Sequence, residues 1–120
     1  MTYVYVAIEM TSNKSIFLEI FGDSPRMKVL DFLIENHIFD YSKRQIAELS
    51  EISYNTLETF WPQMLKLGLV KKTRKVGKSQ MFMLNLENII IQRLFEIVKD
   101  AIIEDVDSLA DKKVSVSVKG

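Results

Sequence analysis

The spacing of apolar and polar positions changes period several times along the chain. Tyr3 to Ile8 is β-branched and aromatic throughout, the composition of a strand. Ser15 to Phe21 is a short apolar run ended by Gly22 and reads as a short helix. A sharper helix start follows, with Ser24 as N-cap and Pro25 at the first helical position. Val29, Leu30 and Leu33 then recur at core-facing spacing, with Phe32 beside them, and the pattern fades near His37.

Ser42 followed three residues later by Gln45 is a capping box, predicting a second helix from about Lys43 to Leu49. Ser53 is the N-cap of a third, which starts at Tyr54 and places Leu57, Phe60, Trp61, Met64 and Leu65 on one face. Pro62 should kink or divide that helix, and Gly68 is suited to end it. Leu69 to Val76 and Ser79 to Asn85 read as strands around Gly77-Lys78, a pair suited to a type II′ hairpin turn.

From Glu87 to about Ala110 a long helix is predicted, apolar at Ile90, Ile91, Leu94, Phe95, Ile97, Val98, Ile102, Val106 and Leu109. Residues 112–119 alternate and read as an edge strand whose partner would be Tyr3 to Ile8. The expected class is mainly α with a small β-hairpin (α+β), one domain over residues 1–120. Two short helices joined by a tight turn form a helix-turn-helix, and a hairpin with cations at its tip is its wing.

Charge sharpens this picture. Sixteen basic and sixteen acidic residues cancel, yet Lys71, Lys72, Arg74, Lys75 and Lys78 fall within eight positions. No Asp or Glu occurs from Thr59 to Leu86, so no neighbouring carboxylate is expected to neutralise the hairpin. Edge lysines can serve only to block strand association. Here both faces of the first strand carry cations, as phosphate contact would use them.

The words "DSPRMKVLDFLIEN" and "DYSKRQIAELSEISYNTLETFWPQMLKLGLVKKTRKVGKSQMFMLN" resemble the winged helix-turn-helix regulators common in archaea, broadly MarR/ArsR-like. The resemblance spans roughly residues 20 to 110. It implies base reading by Tyr54, Asn55, Thr56, Glu58 and Thr59, and backbone or wing contacts by Lys43, Arg44, Lys71, Lys72, Arg74, Lys75 and Lys78. Ile46, Ala47, Ile52, Leu57 and Phe60 match its core positions, with a small side chain at Ala47 where the helices cross. The departure is Glu51, where glycine is usual: either the turn is open or a non-glycine residue takes a strained backbone.

For each reading residue taken singly, an exposed polar side chain at a helix start is the plainer account. As a set they offer donors and acceptors suited to base edges, and Asn55 can pair bidentately with adenine. Glu58 either accepts from cytosine or turns away from the groove. Trp61 reads as a core anchor, His37 as a helix-end residue, and Glu104, Asp107 and Asp111 as a solvated stripe rather than a cation site.

Other chemistry finds little support. "GKS" at Gly77 to Ser79 lacks the upstream glycine of a phosphate-binding loop and precedes no helix. With one histidine and no cysteine, no nucleophile-base-orienter set assembles, so neither an enzyme nor a cofactor is expected. The absence of cysteine fits a reducing compartment, and no apolar run or leader pattern points to a membrane, so a soluble cytoplasmic protein is expected. The last helix carries two apolar stripes. Ile91, Leu94, Phe95, Val98, Ile102 and Leu109 are assigned to dimerisation, which would bury the excess. The expected function is sequence-specific binding of double-stranded DNA by a homodimeric transcriptional regulator, its effector unspecified. The alternative is a protein-protein adaptor built on the same fold.

Overall fold

The structure, a computed structural model, describes the backbone of residues 14–119 and the side chains of residues 14–107. The strand expected from Tyr3 to Ile8 lies outside the described residues. Helix α1 (Ile16–Phe21) begins at Ser15, whose hydroxyl accepts from the Leu18 N–H at 3.2 Å. The same hydroxyl donates to Asp31 at 2.7 Å, tying α1 to helix α2 (Pro25–Glu35). Ser24 caps α2 as its sequence predicts.

A two-residue strand β1 (Tyr41–Ser42) leads into helix α3 (Lys43–Leu49), where the Ser42/Gln45 capping box is complete. Helix α4 (Tyr54–Lys66) starts at Ser53, whose hydroxyl accepts from the Thr56 N–H at 3.1 Å. The expected division at Pro62 does not occur; α4 is one unbroken element. Pro62 lies on the exposed face, while Leu57, Phe60, Trp61 and Met64 hold the opposite face in the core on both sides of it.

The two turns that end α3 and α4 are built alike. At the first, the N–H groups of Glu51 and Ile52 reach back to the carbonyls of Glu48 and Ala47. At the second, Gly68 and Leu69 reach back to Leu65 and Met64. This is the Schellman arrangement, which needs a left-handed residue just past the helix. Gly68 supplies it at φ +71°, and Glu51 supplies it at φ 60° despite its side chain.

Strands β2 (Val70–Val76) and β3 (Ser79–Leu84) form the hairpin, and the sheet order is β1-β3-β2, antiparallel throughout. Gly77 has φ +61° while Lys78 does not enter the positive region, the pattern of a type II′ turn. Strand β1 was not anticipated. Two residues carry no alternation to read; Tyr41 and Ser42 pair with Phe82 and Met81 of β3, and the Tyr41 ring meets Phe32 edge-on at 5.0 Å.

The long helix α5 (Ile89–Lys119) starts at Asn88, whose side-chain oxygen accepts from the Ile90 N–H at 2.8 Å. The Asn88 amide also donates to the carbonyls of Leu67 and Gly68, fastening α5 to the end of α4. The edge strand expected over 112–119 is corrected: the backbone there continues α5 to Lys119. An alternating segment forms a strand only against a partner edge, whereas continuing α5 pairs its backbone groups within the helix itself.

One core joins the elements. Val29, Leu33, Ile46, Leu57, Met64, Leu84 and Ile91 are all essentially inaccessible, and the Trp61 ring meets Phe82 edge-on at 5.2 Å. Trp61 is thus the core anchor its neighbours predicted.

Candidate nucleic-acid interface

Helices α3 and α4 pack together with Ala47 buried, and Tyr54, Asn55 and Thr56 in the first turn of α4 stay at or near the surface. Beside it, every residue of β2 after Val70 is exposed, so the cations Lys71, Lys72, Arg74, Lys75 and Lys78 all reach solvent. A groove of about 450 Å³ separates helix from hairpin; Lys43, Arg44 and Tyr54 line one wall, and Lys72 and Gln80 the other. Of the sequence-predicted cations, Lys43 and Arg44 of α3 and Lys72 of the hairpin therefore share one groove, while Lys71, Arg74, Lys75 and Lys78 do not line it.

The five residues expected to read bases divide into two groups. Thr56 and Thr59 are occupied with their own helix: the Ser53 hydroxyl donates to the Thr56 hydroxyl at 2.8 Å, and the Thr59 hydroxyl donates to the Thr56 carbonyl at 2.6 Å. The Tyr54 ring is covered by Arg44, whose guanidinium carbon lies 4.7 Å from its centroid. Asn55 is exposed and uncommitted among the described residues.

Glu58 is not a free anion in the groove. Lys43 reaches it at 2.9 Å, and the Tyr54 hydroxyl together with that ammonium holds its carboxyl below the usual carboxylate range. Lys43 is raised in turn by the hydrogen bond to Glu58.

The expectation that no carboxylate neutralises the hairpin is corrected by Asp40. Arg74 donates to its two oxygens at 3.0 and 3.2 Å, and the Thr73 hydroxyl adds a bond of 2.6 Å. Asp40 immediately precedes β1 but lies 33 and 34 positions from Thr73 and Arg74, so a scan of local charge passes over it. The register supplies the reason for the meeting. Between the Lys72↔Phe82 and Lys75↔Gln80 pairs, β2 carries one residue more than β3, a bulge that turns Thr73 and Arg74 toward Asp40. Hydrogen bonding to Arg74 and Thr73 keeps the Asp40 carboxyl below its ordinary range.

No protein-family model matches the sequence, and no curated protein matches it either. Two solved structures share its fold. One is the homodimeric winged helix-turn-helix DNA-binding domain of Mb0332 from Mycobacterium bovis, described as a possible ArsR-family transcriptional regulator. It is 23% identical over 70% of this chain and 72% of that one, with a TM-score of 0.51. The other is the apo form of a mutant ZitR from Lactococcus lactis, 12% identical over 93% of this chain and 83% of that one, with a TM-score of 0.55. The fold is a winged helix-turn-helix.

In this winged helix-turn-helix, α5 does not present the stripe assigned to dimerisation. Ile91 is completely buried in the domain's own core, and Leu94, Phe95 and Val98 are half-buried against it. Phe95 also takes the His37 ring edge-on at 4.9 Å. The reason is geometric: α5 starts against α1 and the end of α4, so its first stripe completes the core. Ile89, Ile90, Ile97, Ile102, Ile103 and Val106 are exposed instead. Of the assigned residues only Ile102 stands free; the Leu109 side chain lies outside the described residues. No helix among the described residues is long and apolar enough to cross a membrane.

Proposed function

We propose that this chain is a transcriptional regulator that binds double-stranded DNA as a twofold dimer. The observation that carries the reading is the convergence of Arg44, Lys72 and Tyr54 on one groove beside an exposed Asn55. An α-helix fits the major groove, and cations on the adjacent hairpin would meet the flanking phosphates. Asn55 would then be the principal base reader, with Tyr54 held in place by Arg44. Lys71, Lys72, Lys75 and Lys78 would contact the backbone, while Arg74, fixed to Asp40, would set the angle of the wing.

Dimerisation through α5 rests on the uncovered half of that helix. Ile90, Ile97, Ile102, Ile103 and Val106 are too apolar to be left in water along an element of 31 residues. A single helix projecting from its domain gains most of its stability from packing, which a second copy would provide. The Mycobacterium bovis neighbour is itself homodimeric, which supports the same arrangement here.

Binding to random duplex at low salt, followed by selection of preferred sites, tests the proposal. Tight binding that falls steeply with salt, and a selected inverted repeat with half-sites about one helical turn apart, are the expected results. No binding to any duplex would favour an adaptor instead.

A further inference from the structure

Three stripes of side chains follow one another around α4. Residues three or four apart share a stripe, and consecutive residues begin stripes about 100° apart. Tyr54, Trp61 and Leu65 form the first, which lines the groove beside the hairpin. Asn55, Thr59 and Pro62 form the second, and all three are exposed. Thr56, Phe60 and Gln63 form the third, on the side turned away from the hairpin, where α2 packs on α4.

An arginine lies on an aromatic ring at each border of the exposed stripe. On the hairpin side, the Arg44 guanidinium stands 4.7 Å from the Tyr54 centroid. On the other side, Arg26 from the first turn of α2 stands 5.6 Å from the Phe60 centroid. A ring holds a guanidinium by its flat face and leaves the N–H groups at its edge free to donate. Arg26 is exposed and forms no ion pair among the described residues. The carboxylate closest to it in sequence, Asp23, is taken by Lys14 at 3.0 Å. Covering Phe60 needs only the aliphatic stem of Arg26 and leaves its charge unused.

We infer that Arg26 contacts DNA, meeting the phosphate strand across the major groove from the one met by Arg44 and Lys72. The inference rests on the DNA-binding reading proposed above. A helix roughly 10–12 Å across, in a groove about 12 Å wide, has a phosphate strand along each side. With Asn55 aimed at the bases, the hairpin stands beside Tyr54 and serves one of those strands. The other would run past Thr56 and Gln63, where Arg26 stands. A guanidinium matches phosphate oxygens bidentately, and the contact releases counterions from the duplex. Holding both strands would keep α4 from rocking about its own axis, and so keep Asn55 on the base edges.

The test is binding of the full chain to random duplex, followed by fluorescence anisotropy across a salt series. Arg26→Met keeps an unbranched apolar stem over Phe60 and removes the charge. It should weaken binding and lower the log-log salt slope by about 0.9 for each bound domain, as Lys72→Met should from the other side. Arg26→Lys should restore the slope. Lys99→Met, which removes an exposed cation from α5, should leave it unchanged. On a selected site, ethylation interference should place the contacts, with Arg26→Met and Lys72→Met relieving interference on opposite strands. A slope unchanged by Arg26→Met while Lys72→Met lowers it would overturn the assignment and leave DNA binding standing. Relief of the same phosphates by both variants would overturn the two-strand arrangement. Failure of the unaltered chain to bind any duplex would remove the reading and this inference together.

Discussion

Lys43, the first residue of α3, reaches 2.9 Å across the helix-turn-helix to Glu58, about one turn from the reading end of α4. The pair spends a cation that would otherwise face phosphate, and it leaves a carboxylate where a polyanion would approach. Its members are 30% and 38% exposed, so water and salt already weaken it. Glu58→Gln should therefore tighten binding to every duplex alike and steepen the log-log salt dependence by up to about 0.9, the value of one phosphate contact. Fluorescence anisotropy across a salt series measures both. Unchanged affinity would show that this end of α4 does not approach the backbone.

The Asp40–Arg74 contact carries a pH dependence with a definite sign. The folded state lowers the Asp40 pKa, so its contribution is fully present above the ordinary aspartate value and is lost as pH falls through the lowered one. Glu58 shifts in the same direction and adds to the same acid limb. Stability from urea unfolding should decline on acidification, beginning near about pH 5. Asp40→Asn should make that decline shallower and leave the neutral-pH fold intact. It should also free the wing, seen as lost protection of the β2 amides near the bulge from hydrogen exchange.

Specificity should rest on Asn55 more than on its neighbours. Thr56 and Thr59 already use their hydroxyls within α4, and Tyr54 is held between Arg44 and Glu58. Asn55→Ala should change which sites are selected at a cost of roughly 1–3 kcal/mol in discrimination, with non-specific affinity nearly unchanged. Thr59→Ala should do much less. Selection experiments on the two variants provide the comparison, and equal effects would remove Asn55 from its assigned role.

The helix starts and the hairpin were legible because their signals are local. Ser24, Ser42 and Ser53 each cap the helix that their own neighbours specify, and Gly77 sets its turn alone. What escaped depends on residues far apart in sequence. Asp40 meets Arg74 beside the bulge in β2, and β1 pairs with β3 through Tyr41 and Ser42, whose partners lie about forty positions on. The α5 stripes were visible as two, but periodicity does not say which of them faces the domain. The contact between Asn88 and the end of α4 decides that, and a single sequence gives no sign of it.

Glu51 offers a test of turn strain. It occupies the left-handed position that Gly68 fills in the matching turn, and its side chain pays for a conformation that L residues avoid. Glu51→Gly should stabilise the domain by about 1 kcal/mol, the left-handed penalty less the extra flexibility of the unfolded chain. Denaturant midpoints at constant m-value give the difference. The reverse change at Gly68 should be worse than strain alone. A Cβ there would stand 3.3 Å from the Asn88 amide, so Gly68→Ala also disturbs the group that starts α5.

The two faces of α5 should respond oppositely to charge. Ile90 and Ile97 are about half exposed, at 53% and 46%, and with Leu94 they form an almost wholly apolar hollow beside Arg93. Placing a carboxylate there harms nothing inside the domain. Ile90→Asp combined with Ile97→Asp should convert a dimer to a folded monomer in sedimentation at micromolar concentration, with the thermal transition kept cooperative. The monomer should then lose the preference for inverted repeats while keeping non-specific affinity per domain. Ile91 and Phe95 lie on the other face, within or against the core. Ile91→Ala should cost about 2–5 kcal/mol through the cavity it leaves, and it should lower stability without selectively changing the association of the folded form. If Ile90→Asp with Ile97→Asp leaves the mass at that of a dimer, association runs through another surface. If the unaltered chain already sediments as a monomer, the exposed isoleucines of α5 serve something other than self-association.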